Sequence, residues 1–85
     1  MKFYLVVPQK SVTSFTDVIQ ELREDFKVTK AGTRSVKMID TGEMVETYYY
    51  ICQGGLFKFV KFLLENRPKI VRNKNVSEHL ILIVA

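Results

Sequence analysis

Tryptophan is absent from this 85-residue chain, and cysteine and histidine occur once each, as Cys52 and His79. A lone cysteine excludes an internal disulfide, and with a lone histidine it leaves no Cys/His cluster for a structural zinc. Stability therefore has to come from packing. Proline and glycine are scarce, at two and four residues, and with 47% hydrophobic residues the composition excludes a disordered tail. The longest uncharged apolar run, Leu80 to Ala85, falls far short of the ~20 residues a membrane-spanning helix needs, so no membrane partner is expected. The opening Met1-Lys2-Phe3-Tyr4-Leu5-Val6-Val7-Pro8 has an apolar stretch about half as long as that of a secretory signal and lacks a small-residue cleavage site. It is expected to be a first strand. The length fits a single domain over residues 1–85, whose thin core makes docking on a partner a standing expectation.

What is present in excess is positive charge, and it is local. Residues 1–57 carry seven charges of each sign, whereas Lys58, Lys61, Arg67, Lys69, Arg72 and Lys74 are opposed by Glu65 alone, leaving +5 in that stretch. Such a surface attracts phosphate, although a solvated lysine-rich helix and loop has the same composition.

Periodicity divides the chain into six elements. Residues 2–7 are a continuous apolar and aromatic run ended by Pro8, as in a strand covered on both faces. Val12, Phe15, Val18, Ile19, Leu22 and Phe26 recur every three or four residues, opposite Asp17, Gln20, Glu21, Arg23 and Glu24, which predicts an amphipathic helix with Ser14 as N-cap. Lys27 to Ile39 alternates loosely and breaks at Ala31-Gly32, predicting one long strand with a bulge at the glycine. Asp40 to Glu43 is a turn, and Met44 to Gln53, rich in β-formers around Tyr48-Tyr49-Tyr50-Ile51, is the next strand of a hairpin, ended by Gly54-Gly55. A second helix follows with Leu56, Val60, Leu63 and Leu64 as its apolar stripe, widened by Phe57 and Phe59, and Pro68 stops it. A polar connector from Lys69 to Asn75 leads to a final strand from about His79 to Val84.

With right-handed crossovers, this order predicts an α+β fold of the ferredoxin-like βαββαβ type: a four-stranded antiparallel sheet with two helices on one face. The first and last strands should lie side by side, the third beside the first and the second on the outer edge. Both sides of these strands are apolar: Phe3, Leu5 and Val7 oppose Tyr4 and Val6, and Val45, Tyr49 and Ile51 oppose Tyr48, Tyr50 and Cys52. Two helices bury only one side, so the other is expected to be an interaction surface.

Catalysis is not expected. His79 stands alone among aliphatic neighbours, Cys52 sits within a strand, Asp40, Glu43 and Glu46 crowd a turn, and no phosphate loop or metal spacing occurs. Gly54-Gly55 is a weak anion-binding signal. An RNA recognition motif shares the element order and stacks bases on aromatics of its first and third strands, for which Tyr4, Tyr48 and Tyr50 are candidates. The third strand, however, has Met44-Val45-Glu46-Thr47 in place of the motif's basic and glycine-containing pattern.

A family resemblance spans almost the whole chain, carried by the order and spacing of short motifs. Lys2-Phe3-Tyr4-Leu5-Val6-Val7 matches a tyrosine-bearing first strand, Gly32-Thr33-Arg34-Ser35-Val36 a Gly-x-Arg-x-Leu in the second, Gly42 and Tyr48-Tyr49-Tyr50 a glycine and tyrosine-rich third, and Asn75-Val76 an Asn-Val before the aliphatic last strand, Leu80 to Val84. In these features the chain resembles small-subunit ribosomal protein six of the bacterial type. It departs from that pattern at Leu5, where the family usually has glutamate, at Lys37-Met38-Ile39, which replaces Ala-Tyr-Pro, at Glu78, often arginine, and in the longer Arg67 to Asn73 link.

The resemblance implies a non-enzymatic structural constituent of the small ribosomal subunit. It implies binding to ribosomal RNA and to neighbouring small-subunit proteins, above all small-subunit ribosomal protein eighteen, with no cofactor. The divergence implies a mitochondrial member, with bacterial and plastid ribosomes as alternatives. The candidate RNA contacts are Arg34, carried over from Gly-x-Arg, with Lys30 and Lys37 on the same strand, and Lys58, Lys61, Arg67, Lys69, Arg72 and Lys74; edge-strand lysines also serve simply to discourage aggregation. The candidate protein-contact residues are Tyr4, Val6, Tyr48 and Tyr50. A free-standing module of the RNA-recognition-motif type and a dimeric ferredoxin-like enzyme or ligand-binding domain are the alternatives.

Overall fold

The computed structural model describes residues 1–84, with the side chain of Lys30 outside the described residues. Its elements are β1 (Lys2–Pro8), α1 (Thr16–Asp25), β2 (Lys27–Lys37), β3 (Met44–Gln53), α2 (Leu56–Glu65), β4 (Ile70–Arg72) and β5 (Leu80–Val84), with single 3-10 segments over Gln9–Phe15 and Arg67–Lys69. The fold is mixed α+β, and its one sheet runs β2-β3-β1-β5-β4. β1 pairs antiparallel with β3 and with β5, and β2 antiparallel with β3, while β4 runs parallel to β5.

The expected sheet of four antiparallel strands is therefore corrected to a mixed sheet of five. The added strand comes from the connector, where Ile70 and Val71 are the only apolar residues among cations. Ile70 aligns with Leu80 and packs on the core beneath the helices, and Val71 aligns with Ile81 on the other face. Asn73, at φ 55, then turns the chain away while its amide donates to the Leu82 carbonyl at 2.9 Å.

Both helices pack on one side of the sheet. Phe3, Leu5 and Val7 of β1, Val18 and Leu22 of α1, Tyr50 and Cys52 of β3, Phe59 and Phe62 of α2, and Leu80 and Leu82 of β5 form one buried cluster. Phe3 is its centre, with ring centroids 5.1 Å from Phe26, edge to face, and 4.8 Å from Phe59. Such ring pairs add roughly 0.5–1.5 kcal/mol to the area they bury. Gly54 exists for this cluster: a Cβ there would stand 2.5 Å from the Phe26 ring.

Two local expectations change and a third holds. The chain enters α1 through the 3-10 segment, so Phe15 rather than Ser14 is the N-cap, with no side-chain cap bond. The bulge in β2 falls where expected, between Lys30 and Gly32 in the pairing with β3. On α2 the buried stripe is rotated: Phe59 and Phe62 point inward with Leu63 partly buried, while Leu56, Phe57, Val60 and Leu64 are exposed. Seven of the ten residues of α2 are apolar, so two stripes compete, and the one offering phenyl rings to Phe3 and Phe26 is the one that packs.

Candidate functional site

The helix-free face is built from the alternate residues of the same strands. Val6 faces Tyr49 on β3 and Ile81 on β5, and Tyr4 faces Ile51 and Ile83, so these six side chains share one side of the sheet. This side is only partly open. Met38, just past the end of β2, folds onto Val6 and Ile81, and all three are at most 4% exposed. Its position is tied by neighbouring bonds: the Met38 amide donates to the Glu43 carbonyl, the Ile39 amide to the Asn75 carbonyl at 2.7 Å, and the Ser77 amide and hydroxyl to the Asp40 carboxylate. The two Ser77 bonds, the hydroxyl's first, hold the Asp40 carboxyl below its ordinary value of 3.8. What remains half-exposed is Tyr4, Tyr49, Ile51 and Ile83.

The Gly-x-Arg segment belongs to this face. Gly32 takes φ +146 at the bulge, and a Cβ there would meet the Tyr49 ring at 3.4–3.6 Å, so glycine both tolerates the backbone and seats the ring. Arg34, two residues on and therefore on the same side, places its guanidinium 5.5 Å from the Tyr49 ring centroid. The Thr47 hydroxyl, fully buried next to it, donates to the Arg34 carbonyl at 2.8 Å and fixes the strand at that point. No carboxylate lies within ion-pair distance of Arg34 among the described residues. A cation stacked on an aromatic ring is held in place yet keeps its N–H donors for a phosphate or a carboxylate.

Of the expected protein-contact residues, Tyr4 and Val6 lie on this face, Val6 beneath Met38. Tyr48 and Tyr50 do not. They align with Val7 and Leu5, on the helix side; Tyr50 is buried in the core cluster and Tyr48 packs against it. Their expected partnership with Tyr4 is corrected because successive strand residues point to opposite faces, and Cys52 and Tyr50 are drawn to the side where the helices are. The missed residues are Tyr49, Ile51 and Ile83, the first signalled by its place directly across from Gly32.

The expected RNA contacts divide between two edges. Arg34 and Lys37 are exposed on β2, at one end of the sheet, and Lys30 lies in the same strand with its side chain outside the described residues. Arg72 lies on β4 at the other edge, four strand spacings or ~19 Å away. Lys58 sits 4.0 Å from Asp25 and Lys61 3.9 Å from Glu65, so two of the expected cations are engaged within the chain. Arg67, Lys69, Arg72 and Lys74 are exposed, with no carboxylate within that distance among the described residues.

The groups weighed for catalysis have structural partners. His79 Nδ1 lies 2.8 Å from the Ser77 carbonyl. Burial pushes the Cys52 thiol up to about 12, against a smaller opposing effect of Arg23, so it stays protonated at neutral pH. The Gly54 amide donates to the Met1 carbonyl at 3.0 Å and is not free to cradle an anion. No helix of the described residues is long and apolar enough to cross a membrane. No family model matches the chain, and no curated protein matches it.

Proposed function

We propose that this chain is a ferredoxin-like βαββαβ domain, extended by one short edge strand, that serves as a structural constituent of the small subunit of a mitochondrial ribosome. Its helix-free face docks a neighbouring small-subunit protein, the counterpart of small-subunit ribosomal protein eighteen, and the cations of the β2 edge contact ribosomal RNA. The observation that carries this proposal is the helix-free face itself: half-exposed Tyr4, Tyr49, Ile51 and Ile83, with an unpaired Arg34 stacked on Tyr49 over a glycine bulge. Completing the burial of four such side chains is worth on the order of 1 kcal/mol each, enough for a stable contact only when added to charge pairing at the rim. The resemblance of the motif order to small-subunit ribosomal protein six supports the identity of the partners, and no catalytic role is assigned.

The alternative of an RNA-recognition-motif platform loses Tyr48 and Tyr50 to the helix side and keeps Tyr4 and Tyr49 on the helix-free face, but β3 has Met44-Val45-Glu46-Thr47 in place of the motif's basic and glycine-containing pattern. Sedimentation separates the possibilities. The endogenous protein should travel with small ribosomal subunits at moderate salt and be released as salt rises, and Arg34→Glu should shift it to the free pool. Recovery of the native protein mainly outside ribosomes would reject the proposal.

A further inference from the structure

On the other side of the sheet, away from the face just described, α2 and the edge strand β4 enclose a groove. It has a volume of about 340 Å³ and is lined by Leu63, Leu64, Ile70, Arg67 and Arg72. The outward side of α2 is apolar where a surface helix is ordinarily polar, with Leu56 64% exposed, Phe57 83%, Val60 45% and Leu64 61%, and of these Leu64 lines the groove. The lower rim is β4, which pairs with β5 alone and leaves its outer edge open. The groove thus joins an aliphatic floor to two guanidinium groups without a carboxylate at ion-pair distance among the described residues.

We infer that this groove docks an acidic amphipathic segment of a partner protein, with an aliphatic stripe against Leu63, Leu64 and Ile70 and carboxylates against Arg67 and Arg72. Charge complementarity selects this occupant. A second copy of the chain meeting the groove symmetrically would bring Arg67 and Arg72 against their own counterparts, in a stretch that already carries an excess of +5. RNA gains little from a floor of leucine and isoleucine, since single strands are held by stacking on rings. A lipid surface meets ridges and cannot reach the floor between a helix and a strand. A helix laid in a groove with anchors at i, i+3, i+4 and i+7 satisfies both the apolar floor and the charged rim. Because the groove and the Arg34 face lie on opposite sides of the sheet, this inference stands independently of the ribosomal proposal.

The test is a titration of the isotope-labelled full chain, followed by amide chemical shifts, with a synthetic helical peptide of ~14 residues carrying leucine at those four spacings and glutamate elsewhere. Its lysine counterpart is the control. The glutamate peptide should bind with a Kd on the order of 100 µM and move the amides of Leu63, Leu64, Arg67, Ile70 and Arg72, whereas the lysine peptide should move none. Arg72→Glu and, separately, Leu64→Gln should each weaken binding about tenfold. Both positions are exposed, and a circular dichroism spectrum checks that each variant folds. Arg34→Glu should leave the affinity unchanged, which separates this groove from the other face. Equal binding of both peptides, shifts confined to the Tyr4 and Tyr49 face, or no shift at all would overturn the inference. So would self-association through the groove, or groove shifts produced by a uridine oligonucleotide or by phosphatidylserine vesicles while the glutamate peptide is silent.

Discussion

The two faces of the sheet are made from the same strands and from equally apolar residues, yet they end in different states. Below α1 and α2, Phe3, Leu5 and Val7 are fully buried against rings and aliphatic chains from two helices. On the opposite side, one methionine from the end of β2 is the centre of the cover, and the buried apolar cluster is small, made of Val6, Met38 and Ile81. The difference shows that alternation sets which residues share a face, while the amount of chain arriving over that face sets whether it becomes core or contact surface.

The contrast can be broken most severely at Phe3. Phe3→Ala removes the ring shared by Phe26 and Phe59 and should cost about 3–5 kcal/mol, a large part of the roughly 4–13 kcal/mol expected for a domain of this size, read as a fall in the denaturant midpoint. Met38→Ala should cost less, about 2 kcal/mol, but should change the other face more, uncovering Val6 and Ile81 and raising the binding of a hydrophobic dye to the folded state. An unchanged dye signal would mean that this side is sealed by something other than Met38.

Gly32→Ala sharpens the same comparison by acting only on the helix-free side. Its φ of +146 is closed to alanine without strain, so a loss of about 1–2 kcal/mol is expected, read as a fall in the denaturant midpoint and accompanied by displacement of Tyr49 and of the Arg34 guanidinium stacked on it. The smallest effect concerns the helix surface. A hydrogen bond with Glu65, then burial, then the Glu65 charge raise the Glu21 carboxyl above its ordinary value of 4.5, so the folded state favours its protonated form. Its destabilising contribution is present at neutral pH and is relieved as pH falls through the raised value. Glu21→Gln should therefore stabilise the neutral protein by no more than about 0.5 kcal/mol and flatten that part of the pH profile. Asp40 acts with the opposite sign: the stability from its Ser77 bonds is present above 3.8 and is lost as pH falls through its still lower folded value.

Much of this architecture was legible along the chain. β3 runs from Met44 to Gln53 as expected, because β-branched and aromatic residues bounded by a turn and two glycines leave few alternatives. The bulge at Gly32 was equally readable, and the strand neighbours follow from the handedness of the crossovers. The groove was not readable: its floor needs Leu63 and its rim Leu64, neighbours on a helix whose inward side the composition does not choose, and its lower edge is β4, where three residues inside a basic connector pair with a strand eight residues further on. The tyrosine run was ambiguous for the same kind of reason. Tyr48, Tyr49 and Tyr50 are alike in chemistry, and only their alignment with Val7, Val6 and Leu5 assigns them to opposite faces.

By itself, the order of residues determined six of the seven helices and strands, the bulge, the turn and the two alternating sets of apolar side chains, since these depend on backbone geometry and on neighbours a few positions away. Tertiary structure alone decided which set became core, which stripe of α2 turned outward and whether the connector paired as a strand. Those outcomes are settled by competition between remote apolar surfaces for a limited number of partners, and the stacking of Phe59 on Phe3 and of Met38 on Val6 resolved it.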